Sequence, residues 1–320
     1  MNTIPLTLDS YRPTYTVIGG GRGSPSAGTF PVSVLVLNRG PRLYRAAMLQ
    51  DLVKVGFDSI VSVEGEADSP ELESLAAKFP QVRFIRLHES ANQGVCANIG
   101  LRESYAPFVL LLWNDMRLTT STLSSRFFDK VVELGAACLV PTLNDAAGSI
   151  LPSMANPAHA GKAFKVVNLP PKNDGEKSLY PFDLSGIYSK EKFISLGGFD
   201  WTISNPYWQK LDFGLRAWLW GESITYIQAL KLKYEEAAHD EDTTPDSDYG
   251  RFWLKNLAPV YHGDSAFLPR SRFWSYLTRS HSFPRAAMEE FKAAREWVDA
   301  CTFRFKEDAS RLSDLWDPLA

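Results

Sequence analysis

The sequence predicts an α/β fold with a mostly parallel, doubly wound sheet, helices on both faces and a helical extension at the C-terminal end. Short apolar runs such as VSVLVL and FVLLLW are typical of strands that are buried on both faces. Short helical segments with capping residues alternate with these runs, which implies parallel strands joined by right-handed crossovers. The chain has 320 residues, 45% of them hydrophobic, so it is long enough to bury a substantial core.

Four strands and three helices are predicted in the first half of the chain. The strands are expected at residues 32–37, 59–63, 82–87 and 108–113. Pro41 and Gly56 mark the beginning and end of the first helix, because proline suits a first helical turn and glycine suits a C-cap. Ser69 and Pro70 mark the start of the second helix, and the third is expected at 92–104.

The second half of the chain is less regular. A helix closed by Gly135 is expected at 120–134, and a strand follows at 136–143. Residues 142–181 contain many Gly, Pro, Asn and Asp residues, which indicates a long functional loop. Three further segments complete the prediction: a helix at 205–221, an acidic and solvated loop at 235–248 and a helix at 285–298.

Composition and charge narrow the classes of function. The net charge of -3 and the pI of about 6.0 argue against a nucleic-acid partner. Cys96, Cys138 and Cys301 are widely spaced, which predicts reduced thiols in a cytoplasmic protein without a zinc motif. The chain begins without a signal-peptide pattern, and its apolar runs are too short to span a membrane. Peripheral contact with a membrane stays open.

A glycine-rich stretch, VIGGGRGSPSAGTF, lies near the N-terminus. It does not predict a phosphate-binding loop, because such a loop leads directly into a helix. Here Pro25 and Gly28 follow instead, and a strand begins at Pro31. Residues 1–30 are therefore expected to form a turn-rich N-terminal extension.

Polar side chains follow the ends of the predicted strands. Four residues lie just past strand ends: Asn38, Glu64, Asn92 and Asp115. In a parallel, doubly wound sheet, ligands bind at the carboxyl ends of the strands. The sequence therefore predicts a ligand site along this edge of the sheet.

Four motifs then occur in order along the chain. They are LVLNRG with Asn38 and Arg39, NQGVCANIG with Asn92, Gly94, Asn98 and Gly100, SGIYSKEKFISLGGFD with Ser185, Gly186, Gly197, Gly198, Phe199 and Asp200, and a helix with Asp212, Arg216 and Gly221. In these motifs, over roughly residues 31–265, the chain resembles glycosyltransferase family 2, whose members have the GT-A fold.

The resemblance implies a hexosyltransferase-like enzyme that transfers a sugar from a nucleotide sugar to a carbohydrate-containing acceptor, a glycan or glycolipid, with inversion. It also implies a divalent cation, Mn²⁺ or Mg²⁺, that neutralises the leaving diphosphate. Residues 31–118 then form the nucleotide-sugar-binding half, residues 119–265 the acceptor-binding and catalytic half, and residues 266–320 a helical extension.

The resemblance also assigns roles to single residues. Asp115 is a candidate metal ligand and His262 a second one, although Asp115 could merely turn the chain and His262 could be structural. Asp212 is the candidate general base. It lies four residues before Arg216, however, and could instead pair with it on a helix.

The nucleotide-binding candidates are Asn38, Arg39, Glu64, Asn92, Gly94, Asn114 and Gly186. For Glu64, a solvated loop acid is an equally open interpretation, and the segment 92–94 could simply be a turn that enters a helix. Trp208, Trp218 and Trp220 could stack on an acceptor sugar, but their helical spacing also suits the core.

Three positions depart from the family pattern. Trp113 replaces the first acid of the usual Asp-x-Asp motif, and Gln209 and Lys210 replace a Glu-Asp pair. These departures leave open a catalytically degenerate GT-A fold that only binds its ligand. A sugar-phosphate nucleotidyltransferase is another alternative, but NRGPRLYR contains too little glycine for the signature of that class.

Overall fold

The structure is a computed structural model that describes residues 11, 13–20, 30–40, 43–65, 70–119, 123–160, 163–239, 241–280 and 283–316. The strands are, in chain order, β1 Tyr15–Gly19, β2 Phe30–Leu37, β3 Phe57–Glu64, β4 Val82–Leu87, β5 Phe108–Trp113, β6 Met116–Leu118, β7 Cys138–Asn144, β8 Met154–Ala160, β9 Ala163–Leu169, β10 Gly186–Ser189, β11 Ile224–Tyr234, β12 Val260–His262 and β13 Ser265–Phe267.

The helices are α1 Arg45–Val55, α2 Pro70–Lys78, α3 Gln93–Glu103, α4 Ser125–Leu134, α5 Lys190–Ser195, α6 Pro206–Leu219, α7 Ser247–Phe252, α8 Arg272–Leu277 and α9 Pro284–Ala300. Shorter turns of other types are the 3₁₀ turns Phe182–Leu184 and Ala309–Leu315 and the π-helical turn Trp253–Leu257.

The main sheet has, among the described residues, nine strands in the order β1-β4-β3-β2-β5-β10-β7-β11-β6. Strands β4, β3, β2 and β5 are mutually parallel neighbours, and antiparallel strands flank them. The chain runs from β2 to β3 and β4 on one side and then returns to β5 on the other side of β2. The β2/β5 boundary is therefore a topological switch point, where ligands of such sheets bind. The predicted α/β fold is confirmed.

Most predicted elements of the first half are present close to their predicted limits. Strands β4 and β5 have the limits expected from the sequence, and α2 begins at Pro70. Gly56 and Gly135 follow the ends of α1 and α4 with φ values of 86° and 54°, so each accepts a left-handed conformation that other residues resist. The caps and breakers were thus sufficient signals for these ends.

Two regions differ from the sequence prediction. Residues 15–19, in the predicted N-terminal extension, form β1, which pairs antiparallel with β4 at the edge of the main sheet. Part of the predicted loop 142–181 forms a hairpin of β8 and β9. Both elements form by pairing with another strand. Strand β8, MANPAHA, for example, has no apolar run of its own that would predict a strand.

Helix α3 lies against β2 and is attached to the Gly-Gly-Phe-Asp segment. A side-chain carbon on Gly100 would lie 2.2 Å from Leu35 Cδ1, so only glycine allows this close packing. Asn98 donates from Nδ2 to the Phe199 carbonyl at 2.8 Å and accepts from the Phe199 amide at 2.9 Å. Two motifs of the sequence are thereby joined in one buried contact.

The C-terminal helices form a second, smaller core. Trp253 and Leu254 of the π-helical turn pack there with Tyr276 of α8 and with Phe291 and Val298 of α9. Helix α9 consequently lies beside α7 and the π-helical turn, and a cavity lies between these elements. Among the described helices, none is both long and apolar enough to cross a bilayer.

Candidate functional site

The ends of β2 and β5 are joined by hydrogen bonds between Arg39 and Asn114. The Arg39 amide donates to Asn114 Oδ1 at 2.9 Å, and Asn114 Nδ2 donates to the Arg39 carbonyl at 3.1 Å. The Asn114 side chain is buried. Asn114 thereby holds Arg39 at the switch point, which is the place predicted from the strand ends.

The Arg39 guanidinium lies between two carboxylates. It donates to Asp115 at 2.9 and 3.1 Å and to Asp183 at 2.9 and 2.8 Å, and its Cζ lies 4.2 Å from the centre of the Trp113 ring. Burial lowers the pKa of Arg39, but hydrogen bonds and attraction from Asp183 and Asp115 outweigh burial and raise it. Trp113, which replaces an expected acid, thus serves as a platform for a fixed cation.

Asp183 was not recognised from the sequence, although it lies two residues before the matched Ser185. Asp183 and Leu184 have φ values of 50° and 59°, in the left-handed region. The carbonyl of Asp183 accepts from Trp113 Nε1 at 2.7 Å, and its Oδ2 accepts from the Tyr234 hydroxyl at 2.8 Å. Such backbone conformations cost about 1–3 kcal/mol per residue and concentrate at functional sites.

A cavity of about 160 Å³ lies beside the switch point, and Asn38, Ala91, Gln93, Cys96 and Trp113 contribute to its lining. Burial raises the pKa of the Cys96 thiol to about 12. The Oδ1 atom of Asn38 is buried and has no hydrogen-bond partner among the described residues. An acceptor without a partner therefore lies in a residue of the cavity wall.

Glu64 accepts a hydrogen bond from Asn38, which lines the cavity. Its Oε1 accepts from Asn38 Nδ2 at 3.3 Å and from Ser62 Oγ at 2.8 Å, while its Oε2 accepts from Arg45 at 2.6 Å. Glu64 is buried, so the solvated-loop interpretation does not describe it. The structure thus brings two of the strand-end candidates, Asn38 and Glu64, into direct contact.

Asn92 and Gly94 contact helix α6 through Gln209. Asn92 caps α3 by accepting from the Val95 amide at 3.0 Å, and it accepts from Gln209 Nε2 at 3.0 Å. The Gly94 amide donates to Gln209 Oε1 at 2.8 Å, and a side chain at Gly94 would lie 2.4 Å from Gln209 Cδ. These contacts favour the helix-entry interpretation, and a nucleotide contact by either residue stays a prediction.

Gly186 and the tryptophans of α6 lie in packed surroundings. A side chain on Gly186 would lie 2.7 Å from the Leu139 carbonyl, so its glycine permits β10 to approach β7. Trp208, Trp218 and Trp220 are buried within the core. The core interpretation of these tryptophans accounts for their contacts, and a direct donor contact by Gly186 stays a prediction.

Asp212 is fully buried inside α6. Its Oδ2 accepts from Arg216 at 2.7 Å and its Oδ1 accepts from Asn256 at 2.7 Å. Lys255 Nζ lies 3.6 Å from the same Oδ1. These contacts match the ion-pair alternative for Asp212, and no part of this carboxylate is open to an acceptor in the observed conformation. Its role as general base stays a prediction.

Lys210 and the acidic loop 235–248 meet at the site. Lys210 Nζ forms an ion pair with Glu241 and lies 5.2 and 5.4 Å from the ring centres of Tyr180 and Phe182. Glu241 also accepts from the Tyr180 hydroxyl at 3.0 Å. This loop, which the sequence predicts to be solvated, therefore contributes the Glu241 carboxylate to a contact with α6 that the sequence does not reveal.

Among the described residues, the histidine that contacts Asp115 is His239, in the same loop. Its Nε2 lies 3.3 Å from Asp115 Oδ2. His262 instead lies on an exposed hairpin, where its backbone pairs with Ser265, and no hydrogen bond or ion pair between described residues joins it to Asp115. Within the described ranges, no group of three or more His, Cys, Asp or Glu residues is placed to hold a metal ion.

Asp200, the last residue of the Gly-Gly-Phe-Asp block, forms a buried ion pair with Lys255 at 2.5 Å. Burial raises its pKa, but Lys255 and the hydrogen bonds from Thr202 outweigh burial and lower it from 3.8 to about 2. A lowered carboxyl pKa stabilises the fold above pH 3.8, and this contribution is lost as the pH falls from 3.8 toward 2.

We therefore expect the free energy of unfolding to decrease as the pH falls from 3.8 toward 2. This decrease should be smaller in the Asp200→Asn variant. Urea unfolding at several pH values measures both. A pH dependence identical in the variant would show that other carboxyl groups account for the acid sensitivity.

Solved structures of glycosyltransferases share this fold. GalNAc-T7 with UDP, GalNAc and Mn²⁺ has a TM-score of 0.56 at 15% identity, with 88% of this chain and 56% of that chain covered. TarS from S. aureus has a TM-score of 0.50 at 16% identity over 84% and 50%. TarS residues 1–349 with UDP-GlcNAc has a TM-score of 0.51 at 14% identity over 84% and 72%.

The chain thus spans about half the length of GalNAc-T7 and of full TarS. No family model and no curated protein sequence matches the chain. The structural likeness confirms the predicted GT-A fold, and at these identities it shows the fold alone.

Proposed function

We propose that the chain is a glycosyltransferase that binds a nucleotide-sugar donor across the β2/β5 switch point. The observation that carries this proposal is the strand-end cavity, with the buried, unpaired Oδ1 of Asn38. Near it lies a charged cluster, formed by Arg39, Lys210, Asp115, Asp183 and Glu241. A nucleoside base can donate an N–H to Asn38 Oδ1, and the diphosphate then extends toward Arg39 and Asp115. The GT-A neighbours crystallised with UDP or UDP-GlcNAc support the same class of donor.

The charged cluster carries more negative than positive groups. Arg39 and Lys210 face the carboxylates of Asp115, Asp183 and Glu241. A donor diphosphate is itself anionic, so an additional cation is needed to offset the repulsion. This balance supports the Mn²⁺ or Mg²⁺ requirement that the family resemblance implies.

Asp115 and His239 form the donor set that fits such a cation. Their nearest oxygen and nitrogen atoms are 3.3 Å apart, and a carboxylate that binds an arginine still has free lone pairs. Divalent cations of this kind commonly use one or two protein ligands together with phosphate oxygens and water. When bound, the cation would neutralise charge on the leaving diphosphate.

The chain's own residues perform the remaining tasks of the proposed reaction. Asn38 orients the nucleoside, and Arg39, fixed by Asn114, holds Asp115 in place. For the proton of the acceptor hydroxyl, Asp212 is the sequence-based candidate and Glu241 is a second one, since it lies at the site. The acceptor, a glycan or glycolipid, and inversion by direct displacement are part of this proposal.

Binding without turnover is the second candidate function. Both carboxylates at the switch point already bind Arg39, and Gln209 and Lys210 replace acids that the family resemblance leads us to expect. A chain of this kind could hold a nucleotide sugar and leave it intact. Measurement of UDP release from a donor, set beside donor binding, separates the two functions.

We expect uridine diphosphate to bind in the presence of Mn²⁺ and to raise the melting temperature, because a ligand of the native state stabilises it. Asn38→Ala should weaken binding by about tenfold, the size of one hydrogen bond to a buried acceptor. Isothermal titration with uridine, guanosine and thymidine diphosphates measures the affinities, and thermal unfolding with and without uridine diphosphate measures the shift in melting temperature.

Thr119→Ala is a suitable control for this titration, since Thr119 pairs with Lys231 outside the cavity. If none of the three nucleotides binds at millimolar concentration, the proposed function is wrong.

A further inference from the structure

A second cavity, of about 890 Å³, lies between the Gly-Gly-Phe-Asp turn and helix α9. Its walls come from the turn 200–204, from α7, from the π-helical turn and from one face of α9. Cavities of this volume are typical of sites for organic ligands. None of the roles assigned above to the switch point uses it.

One segment of chain separates this cavity from the proposed donor site. The carbonyls of Trp201 and Ile203 accept from Asn92 Nδ2 at 2.9 and 3.4 Å, and the Asp200 and Ile203 carbonyls each accept from Gln209 at 2.8 Å. The side chains of Asp200 and Trp201 meanwhile line the cavity. A ligand in the cavity would therefore lie directly beside the element that supports the donor site.

The lining combines aromatic rings with hydrogen-bonding groups. Trp201 and Trp297 contribute rings, and Lys255 Nζ lies 4.2 Å from the centre of the Trp297 ring. The Nε1 donor of Trp297 is buried and has no hydrogen-bond partner within the described chain. This N–H lies beneath the cavity surface, so the groups that a ligand meets here are the indole rings and the hydroxyl-bearing residues Thr202, Ser204 and Ser247.

The charges of the lining are mostly paired. Asp200 binds Lys255, and Arg251 Nε lies 2.8 Å from Glu290 Oε1. Glu289 is largely exposed. A lining with internally neutralised charges does not select a strong anion or cation, whereas aromatic rings with hydroxyl and carboxylate groups suit a neutral molecule rich in hydroxyls.

We propose that this cavity binds the saccharide chain of the acceptor, as a neutral oligosaccharide that packs against Trp297 and donates or accepts hydrogen bonds along α9. The assignment as an acceptor rests on the proposed function, but binding of a saccharide in the cavity does not. The site is formed by the C-terminal helices together with the Gly-Gly-Phe-Asp turn, so it joins the predicted helical extension to the GT-A unit.

The test uses the full chain, a blocking variant and a matched control. Ala293 lies on the exposed side of α9 and lines the cavity, so Ala293→Phe places a bulky side chain at the cavity wall without removing a contact. Ala300, at the exposed end of the same helix, lies outside the lining, and Ala300→Phe makes the same change elsewhere. The probes are cellobiose, N,N′-diacetylchitobiose, lactose and maltose, and their binding is measured by saturation-transfer NMR and by tryptophan fluorescence.

We expect at least one of these disaccharides to bind, with affinity reduced by about tenfold or more in Ala293→Phe and unchanged in Ala300→Phe. Trp201→Ala, which removes an aromatic ring from the cavity wall, should also weaken binding. No binding of any probe, or equal binding to the blocking variant, would overturn the assignment.

A parallel titration with uridine diphosphate separates the two proposals. Nucleotide binding with no saccharide binding rejects only the cavity assignment. Saccharide binding with no nucleotide binding rejects only the proposed transferase function and retains the cavity as a saccharide site.

Discussion

Replacing Asp212 by alanine is expected to lower the free energy of unfolding by about 3–5 kcal/mol, the usual cost of removing one partner from a buried ion pair. Asp212 and Arg216 are both fully buried, and the carboxylate also accepts from Asn256. Without it, Arg216 keeps its bonds to two carbonyls but loses its counter-charge. Urea unfolding of wild type and variant measures the loss.

A double variant, Asp212→Leu with Arg216→Met, serves as the control. Removing both charges should recover much of the lost stability, because no unpaired charge then remains buried. Asp212→Asn and Glu241→Gln complete the comparison through their turnover rates. A stable Asp212→Asn protein with abolished turnover and intact donor binding would identify Asp212 as the general base, against the ion-pair interpretation.

Replacing Asp115 by alanine should abolish the gain in nucleotide affinity that Mn²⁺ provides. Loss of a ligand from a site with few protein ligands should weaken metal-dependent binding by at least about tenfold, since even changes to residues that only hold a metal ligand in place have effects of this size. Arg39 still binds Asp183 in this variant, so the fold should persist. Titration of uridine diphosphate with and without Mn²⁺ measures the effect.

His239→Ala and His262→Ala distinguish the two candidate histidines. If Asp115 and His239 share one ion, the combined variant should lose little more than either single variant, because each alone breaks the same unit. His262→Ala should then resemble wild type. The opposite pattern, with a loss in His262→Ala alone, would restore His262 as the metal ligand predicted from the sequence. Asp51→Ala on α1 is the control for loss of a surface charge.

The sheet, and the edge of it at which the candidate site lies, could be predicted because they depend on short-range patterns. Apolar runs, capping residues and glycines at helix ends are local signals, and they located β4, β5 and the start of α2. The carboxyl ends of parallel strands must meet at one edge, so Asn38 and Glu64 could be placed together before any contact was known.

The contacts within the site depend on long-range pairing, which the sequence does not reveal. Arg39 and Asp183 are 144 residues apart, and nothing near Asp183 marks its left-handed backbone. His239 lies in an acidic run that resembles a solvated loop. For Gln209 the departure from the expected acid was visible, but its buried contact with the Gly94 amide was not.

The ion pair between Lys210 and Glu241 has a consequence for the measurement of affinity. A negatively charged ligand that needs the Lys210 ammonium must first replace a carboxylate supplied by the protein itself. Its apparent dissociation constant then equals the intrinsic one divided by the fraction of molecules in which that loop has moved away. A weak apparent affinity would thus measure the free energy of this internal competition together with the fit of the ligand, and the Glu241→Gln variant separates the two contributions.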